Sequence, residues 1–149
     1  MNQRERAETF HRLHAGPPML RLPNIWDVIS ARIVEQAGFP ALATSSAAVA
    51  WTLGVRDGEH IGREEMAAVV ARIVRHVAVP VTADMEAGYG PRPEDAAATA
   101  RAVVAAGAVG MNLEDAAPGK SELFDQALQV ERIQAARDAA IAAGVPIVI

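Results

Sequence analysis

The sequence predicts an α/β fold, a parallel sheet with helices packed outside it. Short apolar runs suited to strands alternate with longer segments whose apolar residues recur at helical spacing. No hairpin signal interrupts that alternation. At 149 residues and 51% hydrophobic, the chain can bury a core, and none of it reads as disordered.

Residues 2–14 are polar, with Ala7, Phe10 and Leu13 at helical spacing, and Gly16-Pro17-Pro18 stops that helix. Met19 to Ile25 reads as a first strand. Asp27 can cap the next helix, in which Ile29, Ile33 and Val34 make an apolar stripe and Gly38 marks the end. Ala41 to Thr44 reads as a second strand that empties into Ser45-Ser46-Ala47-Ala48. A loop at residues 54–58 precedes a helix from Arg63, whose Met66, Val69, Val70, Ile73, Val74 and Val77 keep the amphipathic spacing. The run from Val79 is a third strand, buried on both faces. A helix from Pro93 to Ala106 follows, closed by Gly107. Ala108 to Leu113 is a fourth strand, Asp125 to Ala143 a further helix, and Val145 to Ile149 opens a fifth strand.

This count gives four βα units plus the start of strand five, read as one domain over residues 1–149. A full (β/α)8 TIM-type barrel takes about 250 residues, so the expectation is a little over half a barrel. A complete five-stranded open sheet is the competing fold, and length alone favours it. A bare apolar strand at the end, without a covering helix, argues for an interrupted chain.

Composition narrows the partners. The net charge of -4 includes no basic cluster, which argues against nucleic acid. Cysteine is absent, removing disulfides, thiolate zinc sites and cysteine nucleophiles together. No apolar run approaches membrane-spanning length and no apolar leader is present, so no membrane partner and a cytoplasmic location are expected.

Polar residues collect at the C-terminal strand ends, where parallel α/β folds place their sites. They are Trp26-Asp27, Ser45-Ser46, Asp84 with Glu86, and Glu114-Asp115. Each alone could be a cap or a solvated turn residue; four consecutive strand ends point to a shared site. Asp84 and Glu86, two residues apart, would share one side if the extended chain persists that far. Three carboxylates without a nearby histidine favour a hard cation such as Mg2+ over zinc. Two partial motifs fail. Gly119-Lys120-Ser121 ends like a phosphate-binding loop, but Glu114 stands where its first glycine is needed, and Pro93 replaces the third glycine of a dinucleotide fingerprint begun at Gly88.

Five ordered motifs carry a more specific signal: Asn24-Ile25-Trp26-Asp27, Ala43-Thr44-Ser45-Ser46-Ala47, Leu53-Gly54-Val55-Arg56-Asp57-Gly58, the run Ala83 to Gly90, and the run Gly110 to Asp115. In these the chain resembles the isocitrate lyase/phosphoenolpyruvate mutase superfamily over essentially its whole length. The resemblance implies that Asp84, Glu86 and Glu114 hold Mg2+, partly through water. It implies that Trp26, Ser45, Ser46 and the N–H of Ala47 bind a small 2-oxo acid or enolpyruvate substrate. Asp57 would sit near the reacting group and Lys120 in a gating loop, both as catalytic residues. The implied reaction breaks or rearranges a C–C or P–C bond beside the 2-oxo acid through an enolate, and the full-length form is expected to be a homo-oligomer. The lyase branch carries Lys-x-Cys-Gly-His in the gating loop, whereas this chain has Lys120-Ser121-Glu122-Leu123, so a cysteine-dependent lyase is not expected. The rival expectation is a catalytically inactive half-barrel that acts only as a structural or association module.

Overall fold

A parallel sheet of four strands forms the spine of the computed structural model, which describes residues 1–119 and 122–149. The strands are β1 (Asn24–Ile25), β2 (Leu42–Thr44), β3 (Val81–Asp84) and β4 (Gly110–Asn112). They lie in chain order, with Leu42 opposite Val81 and Asp84 opposite Asn112. Such sequential order is what successive right-handed βα units give in a barrel wall, whereas a doubly wound sheet reverses at a switch point. Val148 extends the wall beyond β4: its N–H donates to Val109 O at 3.1 Å and its carbonyl accepts from Met111 N at 2.9 Å.

The helices are α1 (Gln3–His14), α2 (Val28–Gln36), α3 (Ser46–Thr52), α4 (Arg63–Val74), α5 (Pro93–Ala106) and α6 (Gln126–Ala142). Their starts follow local chemistry. Asn2 and Glu5 form a capping box on α1, Asp27 accepts from Ser30 N at 2.7 Å, and Asp125 accepts from Ala127 N at 2.9 Å. Proline at the first turn of α5 is pre-set for the helix. α4 packs along α5, and α5 along α6, so consecutive helices lie side by side. Among the described residues no helix is long and apolar enough to cross a membrane.

Phe10 of α1 is fully buried and sets a close approach at β4. A Cβ at Gly110 would stand 2.7 Å from Phe10 Cε1 and 2.7 Å from Thr82 Oγ1. The side-chain amide of Gln3 donates to Val104 O (2.8 Å) and Ala108 O (3.0 Å), tying α1 to the turn between α5 and β4.

Three expectations change. The first strand is limited to Asn24–Ile25, because Pro23 has no N–H and offers only its carbonyl, which accepts from Ala43 N at 3.2 Å. The residues after Ser45, to which the sequence assigns no element, form the seven-residue helix α3, capped by Ser45 Oγ accepting from Ala48 N at 3.3 Å. In α2 the buried side chain is Ala31, while Ile29 is 71% and Ile33 62% exposed. The core side of α2 is thus shifted away from the stripe expected from hydrophobicity, and only Val34 of that stripe packs on the core.

Gly110→Ala is expected to destabilise the chain by about 1–3 kcal/mol through overpacking. A urea titration reads this as a lower midpoint, and Phe10→Leu in the same chain should recover part of the loss.

Candidate active site

At the C-terminal ends of β2, β3 and β4, hydrogen bonds link the segments that carry the predicted acids. Asp84 ends β3, and its N–H donates to Thr44 Oγ1 of β2 at 2.8 Å. Its Oδ2 accepts from both the N–H (3.0 Å) and the hydroxyl (2.9 Å) of Ser46. Ser46 therefore orients Asp84, and Ser45 Oγ is engaged in capping α3. Ala47 N–H has no acceptor among the described residues.

Glu86 lies two residues on, in a turn at φ 51°, so the extended chain expected to put both acids on one side stops at Asp84; Glu86 is 3% exposed. Its Oε2 accepts from the N–H groups of Gly58 (2.9 Å) and Glu59 (2.6 Å), which hangs the loop bearing Asp57 on the end of β3. Glu59 answers with its own carboxylate, Oε1 accepting from Tyr89 N at 2.7 Å. Glu86 O accepts from Glu114 N at 2.8 Å, so the segments leaving β3 and β4 stay paired. Glu86 Oε1 is buried and has no partner among the described residues.

Residues 87–90 turn tightly at positive φ for Gly88, Tyr89 and Gly90. All four carbonyls of this turn have donors. Arg132 Nη2 of α6 donates to Ala87 O and, at 3.3 Å, to Gly90 O. Thr99 Oγ1 of α5 donates to Gly88 O at 2.7 Å, and Arg63 Nη2 of α4 to Tyr89 O at 3.1 Å. Glycine suits residue 88, where φ is 86° and a Cβ would also meet Leu113 Cδ1 at 2.6 Å.

The electrostatics follow from this crowding of acids. Burial, aided by the charges of Asp57 and Glu59, raises the Glu86 carboxyl from 4.5 to about 7, against the two N–H donors that lower it. Glu114 is also raised, by desolvation first and then by Asp84, Asp57, Glu59 and Asp115. Burial raises the Tyr89 phenol too, with Glu86, Glu59 and Asp84 adding to the effect. No ion pair among the described residues involves Asp84, Glu86 or Glu114.

These features fit a hard cation. The donors are all oxygen, their charges are uncancelled, and the buried Glu86 Oε1 lacks a partner that a bound ion or its water would supply. Among the described residues no three Asp, Glu or His side chains converge to chelate an ion directly. Mg2+ suits that openness, since it keeps several waters and takes only one or two carboxylates.

Trp26 is 39% exposed at the end of β1, and Asp57 is exposed in its loop. Lys120 lies outside the described residues. Sequence reading missed Glu59, Arg63, Thr99 and Arg132. Arg132 left a trace, because it precedes the buried Ala136 and Ala140 at helical spacing on one face of α6. A cavity of about 330 Å3 lies elsewhere, at the N-terminal ends of the strands beside Arg12, Pro18 and Phe39, and contains no carboxylate.

The raised Glu86 has a defined consequence for stability. Its folded-state value exceeds the unfolded one, so the folded chain binds the extra proton between about 4.5 and about 7. Stability of the metal-free protein is expected to fall as pH rises through that window. Glu86→Gln, whose amide oxygen can still accept from Gly58 and Glu59, should flatten the fall in thermal melts across the same range.

Known proteins align with this chain. A 2-methylisocitrate lyase of Bacillus subtilis is 32% identical over 114 residues, covering 76% of this chain and 38% of that protein. An oxaloacetate decarboxylase of Rhodopseudomonas palustris is 32% identical over 146 residues, covering 93% of this chain and 50% of the enzyme. Among solved structures, one from Burkholderia cenocepacia provisionally named a phosphonomutase superposes with a TM-score of 0.92 at 48% identity, covering 96% of this chain and 58% of that one. The chain spans about half the length of the curated relatives it matches. Its four strands and their helices are a segment of a TIM-type barrel, and the relatives, being lyases, mutases and decarboxylases, favour an enzyme over a purely structural module. Residues 10–149 match phosphoenolpyruvate phosphomutase, and the chain belongs to that family, within the isocitrate lyase/phosphoenolpyruvate mutase superfamily.

Proposed function

We propose that this chain supplies the Mg2+-binding part of an enzyme that cleaves or rearranges a C–C or P–C bond beside a small 2-oxo acid, through an enolate. The observation that carries this reading is the set of carboxylates at the ends of β3 and β4, with Glu86 Oε1 buried and unpartnered. Asp84, Glu86 and Glu114 would hold the ion, with water completing its shell. Bound there, Mg2+ would supply electrostatic stabilisation of charge developing on a substrate oxygen.

The residues of the chain divide the remaining work. Ser46 fixes Asp84 through two hydrogen bonds, so that carboxylate is oriented before any ligand arrives. The Ala47 N–H is available to a substrate oxygen, and Trp26 offers an aromatic wall at the end of β1. Asp57, in the loop whose Gly58 and Glu59 N–H groups donate to Glu86, would serve proton or charge chemistry near the reacting group. Lys120 is proposed for the gating side of the site. The relatives act on methylisocitrate and oxaloacetate by name, and the absence of cysteine from residues 120–123 disfavours the cysteine-dependent lyase reaction.

The test is a substrate screen of the full-length protein with oxaloacetate, phosphonopyruvate and 2-methylisocitrate, with Mg2+ and with chelator. Turnover of oxaloacetate or phosphonopyruvate that chelator abolishes is expected. Asp84→Asn should reduce kcat/KM by at least about 100-fold, as loss of a charged group acting in the transition state does. Turnover of 2-methylisocitrate alone would contradict the substrate assignment, and metal-independent turnover would contradict the site.

A further inference from the structure

Arg132 makes no ion pair with any described residue, yet its side chain is fully buried. Arginine is rarely buried without a carboxylate, because several kcal/mol of solvation are lost. Its guanidinium stacks over Phe124 at 4.2 Å; Nε has no partner among the described residues, and the two Nη groups donate to backbone carbonyls and to the Gln129 side chain. Nη2 donates to Ala87 O and Gly90 O, in the turn directly after Glu86. Nη1 donates to Gln129 Oε1 at 2.6 Å and to Glu114 O at 3.4 Å. The same side chain thus grips the segment after Glu86 and the backbone of Glu114 itself. Arg63 and Thr99 also hold the turn, but neither reaches the strand-four side.

We propose that Arg132 is a positioning residue for the cation site, setting the separation of Glu86 and Glu114 by bridging the backbones that carry them. The inference rests on the Mg2+ reading above. It assigns the buried charge a task no apolar residue of that size can perform, since one planar fork reaches three carbonyls on two segments. Lysine cannot: a single ammonium presents its donors from one point. A guanidinium also leaves every carboxylate of the cluster unpaired and so available to the ion, whereas an arginine reaching into the cluster would compete with it.

Calorimetric Mg2+ titration of the full-length protein tests this, with Arg132→Lys, Arg132→Met, Asp84→Asn and Ala140→Gly as variants. Ala140 is buried on the same helix and touches neither segment by hydrogen bond, so it reports general loosening of α6. Arg132→Lys and Arg132→Met are expected to weaken Mg2+ about 10- to 100-fold, as loss of outer-shell partners does, while Ala140→Gly lowers the melting temperature without changing affinity. If Asp84→Asn abolishes binding but both Arg132 variants keep wild-type affinity, the positioning role is overturned and the metal site stands. If Ala140→Gly weakens Mg2+ as much as Arg132→Lys, the effect is stability alone and the role is again overturned. Unchanged affinity in Asp84→Asn overturns the metal site itself, and the inference with it. Should Arg132→Met fail to fold, Arg132→Lys decides the question by the same criterion.

Discussion

Burying the Glu86 carboxylate constrains the whole C-terminal end of the sheet. A carboxylate removed from water must be given donors or take up a proton. Here Oε2 receives two backbone N–H groups, each charge-assisted bond contributing about 1.5–3 kcal/mol. They do not offset burial fully, and the group titrates near 7. The donors come from residues 58 and 59, so the loop carrying Asp57 is placed by the same interaction. The backbone of Glu86 then fixes Glu114 through its carbonyl, and Glu59 returns a carboxylate to Tyr89 N. One buried acid thus couples three of the segments that bear acids.

The turn that follows is held with equal strictness. Left-handed backbone at residues 88–90 is costly for Tyr89, and such geometry persists only where its surroundings over-determine it. Donors from α4, α5 and α6 satisfy the four carbonyls of residues 87–90, with Arg132 Nη2 serving both the first and the last. Satisfied, the turn cannot relax toward a more open form without leaving a buried donor or acceptor unmatched. This is the rigid support that a site of oriented carboxylates requires.

Much of this was legible in the chain because it follows from local rules. Strand–helix alternation, the cap at Asp27, the proline-to-glycine limits of α5 and the acids at the strand ends depend on neighbours a few residues away. What escaped depends on distant partners. Arg132 meets Ala87 across 45 residues, and no periodicity encodes a guanidinium aimed at a carbonyl. Glu59 reads as one more loop acid until Tyr89 N is seen beside it. The resemblance assigns Ser46 to substrate binding, and its further bonds from hydroxyl and amide to Asp84 are visible only in the fold. The seven residues of α3 are too few to establish a period, and the exposed Ile29 and Ile33 show tertiary packing selecting a helix face that hydrophobicity alone misidentifies.

The distribution of positive charge completes the case for a cation. Two arginines lie close to the acid cluster, and a site built for stability alone would pair them with Asp84, Glu86 or Glu114. Instead Arg63 and Arg132 donate to the carbonyls of the turn, Arg63's described ion pair is with the exposed Glu64 at 3.9 Å, and no described ion pair reaches Asp84, Glu86 or Glu114. Burial first, and neighbouring acids after it, raise Glu86 and Glu114, and that penalty on the ionised state persists because no described ion pair cancels it. A divalent ion reverses it, since each carboxylate then gains more from the ion than it loses to its neighbours. The arginines fix where the acids stand, and their commitment to backbone leaves the negative field for a ligand to neutralise.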